Sequence, residues 1–124
     1  MSVDRIVMMS DETSRASEIA AIVHRVLGEP LGRVRSSVVR GAPFAAVPIY
    51  QNDHDERAEQ LRQLITAFAA AQLVVRYFEL MPGDSPDDPD VRALAELTGE
   101  EVMNVLDRHE EAHERRKQSF GGGH

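Results

Sequence analysis

The chain of 124 residues has no cysteine and no tryptophan. Without cysteine there can be no disulfide, thiol nucleophile or cysteine-ligated zinc, which is typical of a protein from a reducing compartment. We therefore expect a cytoplasmic protein. Lysine is almost missing as well, because Lys117 is the only one among 14 basic residues. This preference for arginine is typical of a GC-rich bacterial genome.

Long apolar runs are also missing, so we expect no membrane-spanning segment. The first ten residues carry the acidic Asp4 and a short apolar run, which predicts no signal peptide. The formal net charge of −7 argues against general nucleic-acid binding. We expect neither a nucleic acid nor a membrane as a partner.

Charge divides the chain near position 82. Residues 1–81 hold 10 acids and 9 bases, whereas residues 82–114 hold 11 acids and 2 bases. A chain of this length supports one hydrophobic core. We predict a compact domain over 1–81, an acidic linker over 82–90 and a helical extension over 91–118. The glycine-rich residues 119–124 are expected to be a disordered tail or a remnant of an expression tag.

Hydrophobic spacing indicates alternating strands and helices. Short apolar or β-branched runs at 6–9, 45–50 and 73–80 predict three strands, and Pro48 favours an edge strand or a bulge. Three amphipathic helices are predicted between them: the first ends at Gly28, the second opens at Pro30, and the third carries apolar residues 58–68. In the second helix Leu31, Val34 and Val38 are expected on one face. The order β-α-α-β-α-β predicts an α/β (α+β) sandwich, a three-stranded sheet packed by helices.

Two stretches of this region resemble known families. The stretch IVMMSDETSRASEIAAIVHRVLG runs from a short strand through an acidic turn into an apolar helix. It resembles the start of the Clp protease adaptor ClpS. The stretch LGRVRSSVVRGAPFAAV is similar to the C-terminal domain of the ribosomal stalk protein, where a short helix runs into Gly-Ala-Pro. The two families share one fold, and the resemblance over residues 4–80 implies that fold and, for ClpS, an adaptor that serves an AAA+ unfoldase.

The acidic turn is a candidate ligand site. In ClpS the Asn and Asp of this turn, with a later His, hold the free amino group of a substrate's first residue. Here Asp11 matches the Asp, Ser10 replaces the Asn, and no His lies near Arg40. Ser10, Asp11 and Glu12 therefore form a possible ligand turn. The alternative is that they only form the turn and cap the following helix.

Four arginines form a second candidate surface: Arg25 late in the first predicted helix, and Arg33, Arg35 and Arg40 in the second. Guanidinium groups suit carboxylates and phosphates, so a docking face for an acidic partner is one hypothesis. A solvated helix face, or a cradle for the acidic residues 84–101 of the same chain, is the alternative.

The stretch His109-Glu110-Glu111-Ala112-His113 fits the zinc-peptidase motif H-E-x-x-H. Two histidines one helical turn apart can share a metal. A peptidase also needs a third ligand, an open coordination position and a walled cleft, whereas charged residues surround this motif. We therefore expect no cofactor and no catalysis. Metal binding by His109 and His113 stays an alternative, and a zinc peptidase a remote one.

The C-terminal region carries an apolar stripe. One helix is predicted over 89–97, and Thr98 with Glu101 fits a capping box that starts another. The second helix carries Val102, Met103 and Leu106, which must be buried on the chain itself, on a second copy or on a partner.

Each of these arrangements is an interaction, so the predicted function is a non-catalytic adaptor or accessory protein. It would bind another protein, such as an AAA+ unfoldase or a component of a larger assembly, through the acidic C-terminal helix or the arginine face. A homodimer through residues 91–113 is also predicted. The alternative is a small-ligand or metal-binding regulator that uses Asp11, Glu12 and the histidines of the last helix.

Overall fold

The computed structural model describes residues 5–48, 54–81, 83–85 and 87–108. The elements in chain order are β1 (Arg5–Met9), a 3-10 turn (Thr13–Arg15), α1 (Ala16–Leu27), α2 (Leu31–Val39), β2 (Ala45–Pro48), α3 (His54–Ala70), β3 (Arg76–Leu80), α4 (Pro89–Ala95) and β4 (Glu96–Leu97). Residues 99–108 are also helical and are called α5. The predictions for His109, Glu110, His113 and the tail lie outside the described residues.

The strands form an open antiparallel sheet in the order β2-β1-β3-β4. The predicted mixed fold, a sheet packed by helices, is confirmed. The prediction of three strands is wrong, because β4 adds a fourth strand beside β3. Residues 96–97 were expected to end a helix, but Glu96 is extended and pairs with Phe78. A strand of two residues is too short to show a period of its own.

Local sequence signals mark several ends of the elements. Gly28 ends α1 in the left-handed conformation, with a φ of 76°, and its N–H donates to the carbonyl of His24. Pro48 is the last residue of β2, which lies at the edge of the sheet. Proline has no N–H, and at an edge strand this removes no hydrogen bond between two inner strands. Thr98 and Glu101 form the predicted capping box at the start of α5, through reciprocal bonds of 2.9 and 3.1 Å.

The two faces of the sheet are covered by different helices. The inner face packs against α1, α2, α3 and α5, and its sheet residues are Ile6, Met8, Ala45, Val47 and Tyr77. The outer face packs against Val91 and Ala95 of α4, and its sheet residues are Val7, Met9, Phe78 and Leu80. The chain passes from the outer layer to the inner layer at β4, so residues beyond 82 complete both sides of the sheet.

The helix α5 packs on the chain's own core. Val102 and Leu106 have no exposed surface. At Gly99 an added Cβ would lie 3.3 Å from the side chain of Ile65, so the helix starts in close contact with α3. Arg62 and Asp107 form an ion pair of 3.0 Å between α3 and α5. A docking face made of Val102, Met103 and Leu106 is not compatible with this packing, because the first and last of them lie in the core.

Candidate functional site

The turn Ser10-Asp11-Glu12 holds the segment between α3 and β3. The buried Ser10 hydroxyl donates to the carbonyl of Val74 at 2.8 Å and accepts from the N–H of Glu12 at 3.1 Å. The carboxylate of Glu12 accepts from the N–H of Val74 at 2.9 Å. Asp11 is largely exposed, with a carboxylate oxygen 4.0 Å from Arg76. Two of the three predicted ligand residues therefore bind the chain's own backbone.

Replacing Ser10 with alanine should reduce the free energy of unfolding by about 1–3 kcal/mol, because the bonds of its hydroxyl to the carbonyl of Val74 and to the N–H of Glu12 are both lost. Urea unfolding followed by circular dichroism measures this change. The exposed Ser36 is the matched control, and Ser36→Ala should change stability by less than about 0.5 kcal/mol. Equal unfolding midpoints for the two variants would show that the hydroxyl is not a structural clamp.

Of the four predicted arginines, Arg25 lies in α1 and the other three lie on or next to α2. Arg25 lines a groove of about 510 Å³ between α1, α3 and α5, together with Glu59, Arg62 and Met103. Arg33, Arg35 and Arg40 lie on or next to α2 and take no part in that groove. Arg33, Arg35 and Arg40 are therefore the part of the predicted face that belongs to a single element, α2.

The exposed side of α2 has an ordered arrangement. At about 3.6 residues per turn, Gly32 and Ser36 lie along the middle of this side. Leu31, Arg35 and Val39 follow one another at successive turns on one flank, and Arg33 and Arg40 lie on the other flank. Leu31 and Val39 are about half exposed, at 48% and 53%. Leu31 was expected to share the buried face with Val34 and Val38, but only those two valines are buried.

The arginines of α2 have only exposed contacts. Arg33 pairs with Glu29 at 2.8 Å, one turn earlier, and Arg35 donates to the hydroxyl of Ser17 at 3.1 Å. Exposed pairs of this kind contribute little to stability. Residues 31–40 hold three arginines and no acid, within a chain of net charge −7. The surface of α2 is therefore a local basic region with apolar side chains in it.

An acidic counterpart lies at α4. A shallow groove of about 300 Å³ is lined by Met81, Val91, Leu94, Ala95 and Leu97, with the acids Glu79 and Asp84. Leu94 is 91% exposed, whereas Val91 and Ala95 pack on the outer face of the sheet. The helix predicted over 89–97 carries Val91, Leu94, Ala95 and Leu97. Sequence periodicity did not show which of them the sheet leaves uncovered.

Arg76 closes the outer face beside this groove. Its guanidinium binds both carboxylate oxygens of Glu96, at 2.9 and 3.0 Å, and lies 5.4 Å from the ring centre of Phe78. The hydrogen bonds from Arg76 lower the pKa of Glu96. This pair joins β3 to β4, so its charges are satisfied within the fold.

Tyr77 gives the fold an expected sensitivity to alkaline pH. Burial raises the pKa of its hydroxyl above the usual value of about 10. Above that pH the unfolded chain loses this proton while the folded chain keeps it, so stability should fall by up to about 1.4 kcal/mol per pH unit. Urea unfolding at pH 8 and at about pH 11 should show a smaller loss for Tyr77→Phe than for the parent. Equal losses would mean that Tyr77 ionises freely in the folded state.

Nothing in the described ranges indicates catalysis. Within them, no three residues of His, Asp or Glu are grouped so that they could hold a metal ion. The described helices include none with the length and apolar character needed to cross a membrane. Comparison of the chain with protein-family models, curated proteins and solved structures gives no match. The resemblance to ClpS and to the ribosomal stalk protein stays a prediction.

Proposed function

We propose that the protein is a non-catalytic adaptor or accessory module that binds an acidic amphipathic helix of another protein on α2. The observation that carries this proposal is the exposed side of α2, where small, apolar and basic residues occur together, and where residues 31–40 contain no acid. Glu29, which precedes the helix, is paired with Arg33. The surface consists of Leu31, Gly32, Arg33, Arg35, Ser36, Val39 and Arg40. It is called the α2 surface below.

The geometry of the α2 surface suits a helix. Leu31 and Val39 are eight residues apart, or about 12 Å along the axis, which matches apolar positions two turns apart on a partner. Gly32 and Ser36 let a second backbone approach closely between the two flanks. The space above Gly32 is open, since an added Cβ there would meet no atom within 4 Å.

Charge selects the partner. Arginine forks pair well with carboxylates, and opposite charges across an interface raise the association rate and suppress basic competitors. Arg33 and Arg35 can exchange their exposed contacts with Glu29 and Ser17 for partner carboxylates at small cost, because such contacts are weak. Because of the resemblance to ClpS, the acidic helix is proposed to belong to an AAA+ unfoldase or to a component of a larger assembly.

Fluorescence anisotropy with two labelled helical peptides tests this function. One peptide carries a leucine stripe flanked by glutamates, and the other replaces each glutamate with lysine. The acidic peptide should bind and the basic peptide should not. Arg33→Glu with Arg35→Glu should weaken binding by at least about tenfold, because like charges then face each other.

Two further variants separate docking from folding. Arg25→Glu with Arg108→Glu makes the same change in net charge away from the α2 surface and should leave the affinity unchanged. Gly32→Gln places a longer side chain over the middle of the surface and should block binding. It should keep or slightly raise stability, because glycine is a poor helix former. Equal binding of both peptides, or unchanged binding by the Gly32 variant, would overturn the proposal.

A further inference from the structure

The groove at α4 has the chemistry that the α2 surface requires of its partner. We call Glu79, Met81, Asp84, Val91 and Leu94 the α4 patch. Leu94 and Met81 offer exposed apolar surface, and Glu79 and Asp84 lie in the same groove. The sequence around it adds acids, since residues 82–101 hold seven acids and one base.

The helices α2 and α4 lie on opposite sides of the sheet. Val34 and Val38 attach α2 to the inner core, whereas Val91 and Ala95 attach α4 to the outer face. Two such surfaces in one molecule do not meet each other, but they can meet between molecules. Contact between them joins different surfaces of two copies, which makes a head-to-tail arrangement.

A symmetric contact between two α4 patches is disfavoured by charge. It would bring together two segments that each carry six more acids than bases over residues 82–101. Like charges across an interface oppose association, most strongly at low salt. Arg92, the base in that segment, lies against the outer face of the sheet, with its guanidinium 3.7 Å from the sulfur of Met9.

We infer that a second copy of this chain is an acidic partner of the α2 surface. Leu31 and Val39 of one molecule pack on Met81 and Leu94 of the next, and the arginines of α2 face Glu79 and Asp84. This inference rests on the proposed function, because it uses the same α2 surface. Each added molecule leaves one α2 surface and one α4 patch free, so assembly continues until a ring closes or a chain grows.

Light scattering during size-exclusion chromatography tests the assembly with the full chain. The mass of the parent should rise with concentration at low salt. Association should weaken at least about tenfold between about 0.02 and 0.5 M NaCl, because the charges are screened. Two variants each disrupt one of the two contacting surfaces. Arg33→Glu with Arg35→Glu alters the α2 surface, and Leu94→Lys alters the α4 patch. Leu94 is almost fully exposed, so its replacement leaves the core intact.

Each variant alone should be monomeric, and an equal mixture of the two should form a one-to-one dimer. In the mixture, the intact α2 surface of the Leu94 variant meets the intact α4 patch of the arginine variant. Self-association of the arginine variant alone would overturn the inference in favour of a symmetric α4 contact. A monomeric parent that still binds the acidic peptide would overturn it and leave the proposed function standing. A monomeric parent that binds no peptide would contradict both the self-assembly and the proposed function.

Discussion

Replacing Leu106 with alanine is expected to lower the free energy of unfolding by about 2–5 kcal/mol. Leu106 has no exposed surface and belongs to the main core, together with Val102 and residues of α3. The substitution removes apolar atoms from contact and leaves a cavity that the surrounding side chains fill only in part. Urea unfolding followed by circular dichroism at 222 nm measures the change.

Leu94 provides the matched control in the same part of the chain. It is 91% exposed, so Leu94→Ala should change stability by less than about 0.5 kcal/mol. A loss of less than about 1 kcal/mol for Leu106→Ala would mean that α5 does not pack on the core as described. Leu106→Ala and Leu94→Ala remove the same side-chain atoms, so the difference between their losses of stability reports the burial of Leu106.

Ending the chain at Met81 should have a larger effect. This truncation removes α4, β4 and α5, and with them the buried side chains of Val102 and Leu106. It also uncovers part of the outer-face cluster around Phe78 and Leu80. The lost burial amounts to about 5 kcal/mol or more, comparable with the whole stability of a small domain, about 5–15 kcal/mol.

The truncated chain is therefore expected to be largely unfolded or aggregated. Dispersion of amide signals in a ¹H–¹⁵N spectrum measures this, with the full chain as the reference. Well-dispersed signals and cooperative unfolding of the truncated chain would support the predicted independent domain over 1–81. Because loss of folding would also abolish binding, the docking experiments use point variants of the full chain.

Several features follow from residues close together in sequence. Gly28 ends α1 because glycine adopts a positive φ at low cost. Thr98 and Glu101 begin α5 because each side chain reaches the other's backbone N–H within one turn. Pro48 marks an edge strand because it has no N–H to donate. Each of these signals acts over at most a few residues, so it can be read without knowing the fold.

Other features depend on residues that are distant in sequence. Ser10 binds the backbone of Val74, which no turn propensity near Ser10 indicates. The strand β4 exists because Glu96 and Leu97 pair with β3, whose free edge only the folded sheet presents. The exposure of Leu31 and Leu94 depends on which side of each helix packs on the fold: Val34 and Val38 of α2 and Val91 and Ala95 of α4 do so. Periodicity names the apolar side of a helix, but the surfaces that pack against it decide which of those residues remain free for a partner.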